Sequence, residues 1–204
     1  MSVESAIARV AELQTALSPR MPAVAQTQGP ATVTNPAAFA SMLSGAQGVG
    51  GVAGAQGGTA GAKIVAAVQA EVGQKEMPPG SNDSPRIAQY REATAGAPGP
   101  GPWCAYFTSW AAQQAGVPLG NDGQGFGRVD DVYAWAQSAG KAIPAGSGTP
   151  QPGDLIVWDE HIGVVESVTP DGKIQTIEGN SSDQVARRTY GADGGGAIGF
   201  VRLG

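Results

Sequence analysis

The sequence predicts an α+β fold, with helices first and an antiparallel sheet after them. Two patterns predict it. From Lys63 to Gly140 apolar residues recur at helical spacing, whereas from Leu155 to Arg202 short β-branched runs alternate with turn residues. Pro170-Asp171-Gly172 joins two of those runs as a hairpin. Helices and strands kept apart along the chain, rather than interleaved, favour α+β over a parallel sheet.

The elements follow in order. Residues 2–18 form an expected amphipathic helix, with Ser2 as cap, Val3, Ile7, Val10 and Leu17 on one face, and Pro19 as stop. We assign residues 1–20 to this segment and 21–62 to a linker rich in Pro, Gly and Ala, which has too little apolar surface to offset chain entropy. A short helix at 36–44 interrupts it, with Pro36 at its first position and Phe39, Met42 and Leu43 on one face. The folded domain is expected over 63–204. Its helices carry Ile64, Val65, Val68 and Val72, then Ile87 and Tyr90, then Tyr106, Phe107, Trp110 and Ala111. Asp130 or Asp131 is the expected cap of a fourth helix, running through Val132 and Trp135 to Gly140. Strands are expected at 155–158, 161–168, 173–177, 185–190 and 197–202. Tyr106, Phe107, Trp110, Ile156, Val157, Val164, Val165, Ile174, Ile177 and Phe200 should dominate the core.

Composition narrows the function. The chain has 204 residues, of which 32 are glycine, and a net charge of −5, with no Lys/Arg block. Nucleic acid and anionic membrane both reward clustered basic residues, so neither is expected as a partner. No apolar run approaches the ~18 residues of a membrane span. The N-terminus lacks the basic and apolar regions of a secretory signal, so no ordinary export signal is expected. One cysteine excludes an intrachain disulfide and a cysteine-rich zinc site.

That single cysteine and the single histidine carry the chemistry. Cys104 stands between a Pro/Gly-rich loop and a helix in Pro102-Trp103-Cys104-Ala105-Tyr106-Phe107. A free cysteine is often only a small buried hydrophobe. At a helix start, however, unpaired N–H groups and the positive dipole end favour the reactive thiolate and can hold an oxyanion. His161 opens His161-Ile162-Gly163-Val164-Val165-Glu166 and is the candidate general base. A later strand ends Thr176-Ile177-Glu178-Gly179-Asn180, and alternation puts Thr176, Glu178 and Asn180 on one side. Either Glu178 or Asn180 would then hold the imidazole in place, as the acid does in a serine triad. Read alone, Glu178 is a strand end and Asn180 a turn residue; with Cys104 and His161 they complete a nucleophile, base and orienter set. Trp103 and Tyr106, beside the thiol, are the candidate substrate-binding residues. No metal site is expected, because one His and one Cys far apart cannot build an ordinary zinc site. Ser109 has no second histidine to activate it, and Gly194-Gly195-Gly196 lacks the following helix and basic residue that a phosphate loop needs.

These segments resemble the CHAP family, the cysteine- and histidine-dependent amidohydrolases/peptidases of bacterial cell walls and phage lysins. The resemblance runs from about 64 to 203. It takes in Glu71-Val72-Gly73, Ser81-Asn82-Asp83-Ser84-Pro85-Arg86-Ile87, the Cys104 segment, Pro152-Gly153-Asp154, the His161 strand and Glu178-Gly179-Asn180-Ser181-Ser182. It implies a papain-like fold and cleavage of an amide bond in peptidoglycan, as an N-acetylmuramoyl-L-alanine amidase or a stem or cross-bridge endopeptidase. Cys104 is then the nucleophile, His161 the base, and Glu178 with Asn180 the orienting pair. The calcium loop of some lysins is missing, and no cofactor is implied. Ser2 to Leu17 and Phe39-Ala40-Ser41-Met42-Leu43 resemble leaders of flagellum-associated wall hydrolases. Residues 2–44 are therefore the expected contact with an export apparatus or a flagellar or phage partner. The expected place of action is the cell wall, reached by a dedicated apparatus or by lysis. A wall-binding module without turnover and an antibacterial amidase effector are the alternatives.

Overall fold

The computed structural model describes residues 59–204. The helices expected at 2–18 and 36–44, and the linker up to residue 58, lie outside the described residues.

Helix α1 spans Thr59–Gln69 and buries Gly61, Ile64 and Val68. It begins inside the stretch expected as linker, so the folded part starts before residue 63. The glycine that made this stretch look like linker is a packing device. A Cβ on Gly61 would stand 2.6 Å from the Pro152 carbonyl oxygen, so only glycine lets the helix approach the Pro152-Gly153 turn this closely. Helix α2, Pro85–Glu92, starts where Ser84 accepts a hydrogen bond from the Ile87 N–H at 3.1 Å, with Pro85 in the first turn. Helix α3, Cys104–Gln114, is buried from Cys104 through Ala112 and is the central helix of the fold. Helix α4 covers Val129–Ser138. Its cap is Arg128, not Asp130 or Asp131; both acids sit inside the first turn, facing the positive end of the helix dipole.

Six strands form one sheet: β1 Ala142–Pro144, β2 Leu155–Val157, β3 Ile162–Val168, β4 Ile174–Glu178, β5 Ala186–Tyr190 and β6 Gly199–Val201. Their order is β1-β6-β2-β3-β4-β5, and every pairing is antiparallel. β1 has no counterpart in the sequence reading; three residues ending in proline give too short a pattern to register. His161 sits just before β3, and its carbonyl accepts the Trp158 N–H at 2.8 Å, which closes the turn between β2 and β3.

Alternation along the strands gives the sheet two apolar faces. Leu155, Val157, Ile162, Val164, Ile177 and Val201 join the core shared with the helices, and Ile156, Val165, Ile174, Ala197 and Phe200 form a second cluster. All ten residues expected to dominate the core are buried. Tyr90, Trp103, Phe107 and Trp110 form an aromatic cluster around the first turns of α3, with ring centroids 5.1–6.3 Å apart. Each such pair adds about 0.5–1.5 kcal/mol beyond its burial, so the start of α3 is firmly seated.

Candidate active site

Cys104 is the first residue of α3. The residue before it, Trp103, occupies the cap position but makes no side-chain capping bond. The N–H groups of the first turn are therefore left unclaimed by any capping side chain at the edge of an open cleft of about 320 Å³. Cys104 and Tyr106 line this cleft with residues of the Pro98–Pro102 loop, Gly127, Arg128, Asp159 and Glu160. Trp103 does not line it. Its ring is fully buried, stacks on Tyr90 at 5.9 Å and donates its Nε1–H to Glu76 at 2.9 Å. The expectation that Trp103 binds substrate is thus corrected: the indole lies in the core and offers a ligand no surface.

Two glycines bring the end of β4 to this helix. A Cβ on Gly179 would stand 2.7 Å from the Phe107 Cβ and 2.8 Å from the Trp103 ring, so the strand end lies directly on α3. A Cβ on Gly163 would stand 2.6 Å from the Glu178 Cγ, so the Glu178 side chain crosses the space this glycine leaves open on β3. The result is a buried carboxylate beside His161. Glu178 Oε2 lies 3.0 Å from His161 Nε2, and Oε1 accepts from the Thr176 hydroxyl at 2.5 Å and the Tyr190 hydroxyl at 2.9 Å. The Cys104 side chain lies close enough to the same imidazole to raise its pKa. With Nε2 engaged by Glu178, Nδ1 is the nitrogen left for the thiol.

The electrostatics follow from these contacts. Burial works against a charged imidazole, but hydrogen bonds and charge from Cys104 and Glu178 outweigh it and push the His161 pKa up to about 9. The ring therefore carries its proton at neutral pH. Burial likewise opposes a charged Glu178, yet the hydrogen bonds from His161 and Thr176, the imidazolium charge and the Tyr190 hydroxyl hold its carboxyl below the ordinary value. A cysteine sulfur, a protonated imidazole and an ionised carboxylate in a row can attack an acyl carbon and protonate what leaves.

It is Glu178, not Asn180, whose side chain meets the imidazole. Asn180 takes a left-handed backbone, φ 57°, as the chain turns out of β4, and among the described residues its side chain makes no hydrogen bond. Three side chains around His161 and Glu178 were given no role in the sequence reading. Thr176 already stood on the Glu178 face by alternation, but Tyr190 needed the strand order to be placed. Trp158 stacks on His161 at a centroid distance of 5.6 Å; its only signal was its place three residues ahead, in the same turn. Among the described residues no three His, Cys, Asp or Glu side chains gather as a metal ion would require. None of their helices is long and apolar enough to cross a membrane.

Residues 96–180 match the family described as CHAP domain. This stretch of the chain is similar to a CHAP domain. This span starts in the loop ahead of Cys104 and ends at Asn180, so it contains the thiol, the imidazole and the carboxylate. CHAP domains are papain-like, and the four described helices with their six-stranded antiparallel sheet are an α+β fold of that kind. The CHAP domain implies amidase or peptidase activity directed at peptidoglycan. No curated protein and no solved structure gave a match to the chain.

Proposed function

We propose that this CHAP-like domain hydrolyses an amide bond of peptidoglycan through a thioester on Cys104. The observation that carries the reading is the imidazole of His161, bonded to the buried Glu178 carboxylate and set beside Cys104. The Cys104 sulfur, its proton resting on His161, attacks the amide carbonyl carbon. First-turn N–H groups of α3 receive the oxyanion. His161 gives its proton to the nitrogen as the C–N bond breaks, releasing an amine and leaving the acyl group on sulfur. Water then attacks the thioester while His161 takes a proton from it; a carboxylic acid departs and the thiol–imidazole pair is restored. Glu178 keeps the ring oriented and stabilises its charge through both steps.

The bond is the one joining N-acetylmuramic acid to L-alanine, or one within the stem or cross-bridge peptides. A substrate in the wall requires delivery, and residues 2–18 and 36–44 are the segments we propose to serve it. Mass spectrometry of purified muropeptides incubated with the wild type and with Cys104→Ala tests the reading. New amine and carboxylate termini made by the wild type alone identify the bond. Equal cleavage by Cys104→Ala refutes the cysteine mechanism, and the absence of any new terminus refutes the substrate.

A further inference from the structure

We propose that Tyr190, seated by the Gly194-Gly195-Gly196 loop, is a positioning residue that fixes the Glu178 carboxylate against His161. The inference rests on the catalytic roles given above to His161 and Glu178. Tyr190 and the glycine loop both lie beyond residue 180, where the family match ends.

The geometry forms a closed circuit of four side chains. Glu178 divides its oxygens: Oε2 faces His161, while Oε1 is held by Tyr190 at 2.9 Å and Thr176 at 2.5 Å. A carboxylate held at one oxygen alone can swing about its terminal torsion, which is broad and soft. Donors on the far oxygen remove that freedom. On its other side Tyr190 packs against Trp158 with centroids 5.0 Å apart, and Trp158 stacks on His161 at 5.6 Å. One tyrosine thus bears on the imidazole by two routes, one polar and one aromatic.

Two of the three glycines brace the rings, Gly194 that of Trp158 and Gly195 that of Tyr190. All three have positive φ, 66°, 65° and 82°, a conformation open to glycine and costly for other residues. The Gly194 carbonyl accepts the Trp158 Nε1–H at 2.8 Å. The Gly195 backbone lies so close to Tyr190 that a Cβ there would stand 2.6 Å from its Cδ1. The loop that offers nothing to a phosphate therefore has work as a backbone clamp. The titratable and charged groups around the carboxylate are His161 from the β2–β3 turn, Tyr190 and Arg188 from β5, and Cys104 from α3 across the ring. Losing the Tyr190 donor makes Glu178 easier to protonate, because that hydrogen bond favours the ionised form.

The test is Tyr190→Phe, which keeps the ring against Trp158 and removes only the hydroxyl. Gly195→Ala, which pushes the ring from its seat, is the second variant. Two readouts are taken across pH: kcat and KM on peptidoglycan, and the rate at which iodoacetamide alkylates Cys104. Tyr190→Phe should lower kcat roughly tenfold, the worth of one hydrogen bond to a charged group, with KM unchanged. The acid limb of both profiles should move to higher pH, while melting at neutral pH changes little. Gly195→Ala should move the limbs in the same direction. Profiles that overlay the wild type in either variant overturn the proposal. So does an activity loss that tracks melting and disappears at lower temperature. If the wild type cleaves no peptidoglycan, the substrate reading fails, yet the alkylation profiles still decide the role of Tyr190.

Discussion

Gly163→Ala is the sharpest test of how the carboxylate is held. The residue needs no left-handed backbone, so the cost is steric alone. The new methyl would stand 2.6 Å from the Glu178 Cγ, against about 3.5–4.0 Å for carbons in contact, so something must move by about 1 Å. The backbone offers little relief, because the Ile177 carbonyl oxygen stands 3.4 Å from the same point. Glu178 is the part that can yield, and its 3.0 Å contact with His161 would then open beyond hydrogen-bonding range. A misplacement of that size costs on the order of 10²-fold in rate, and overpacking costs about 1–3 kcal/mol of stability. Turbidity clearance of a purified peptidoglycan suspension gives the rate, and thermal melting gives the stability. A variant that melts a few degrees lower but still folds should be nearly inactive. Wild-type clearance by a folded Gly163→Ala protein would mean that Glu178 does not need this seat, and the orienting role assigned to it would be lost.

Two further outcomes separate the orienter from its neighbour and set the pH window. Glu178→Gln should cut hydrolysis by roughly 10²-fold or more, whereas Asn180→Ala should leave it within a few-fold, as measured by kcat/KM on muropeptides. The reverse ranking would make Asn180 the orienter. His161 has its pKa raised from 6.5 to about 9, so its contribution to stability is fully present below about 6.5 and is lost as pH rises through about 9. Glu178 has its pKa lowered from 4.5, so its contribution is present above 4.5 and is lost as pH falls through the folded-state value. The melting difference between wild type and His161→Ala should therefore be largest between about 4.5 and 6.5 and should vanish above about 9. A difference that grows on the alkaline side contradicts the assignment.

The fold and the placement of Cys104, His161 and Glu178 were readable because they rest on local patterns. Helical spacing placed Cys104 at a helix start, and β-branched alternation placed His161 and Glu178 at strand ends. What stayed hidden depends on which strands become neighbours. Tyr190 is 12 residues beyond Glu178 on the next strand, and no spacing rule along the chain says that its hydroxyl turns back to that carboxylate. Glycine misled twice for one reason. Gly61 read as linker and Gly194 to Gly196 as an unused loop, because composition records flexibility, whereas close backbone approach appears only once the chain has folded. Trp103 misled through adjacency: the residue beside Cys104 need not face the cleft when the helix start rotates it into the core.

The position of Trp103 also explains how this helix can begin without a cap. Ser, Thr, Asp or Asn there would bond a first-turn N–H and add about 1 kcal/mol to the helix, but would also occupy the groups that face the attacked carbonyl in the proposed mechanism. An indole cannot accept that bond, so the N–H groups stay available at the cleft. The helix start is secured from below instead. Trp103 is bonded through Nε1 to the buried Glu76 and packed among Tyr90 and Phe107, and burial of so large a ring outweighs the missing cap. Glu76 in turn accepts the Asn82 N–H at 2.8 Å, so the buried acid ties the loop ahead of α2 to the floor of the site. Packing thus supplies the stability that a capping side chain would otherwise give, and the polar end of the helix remains free for chemistry.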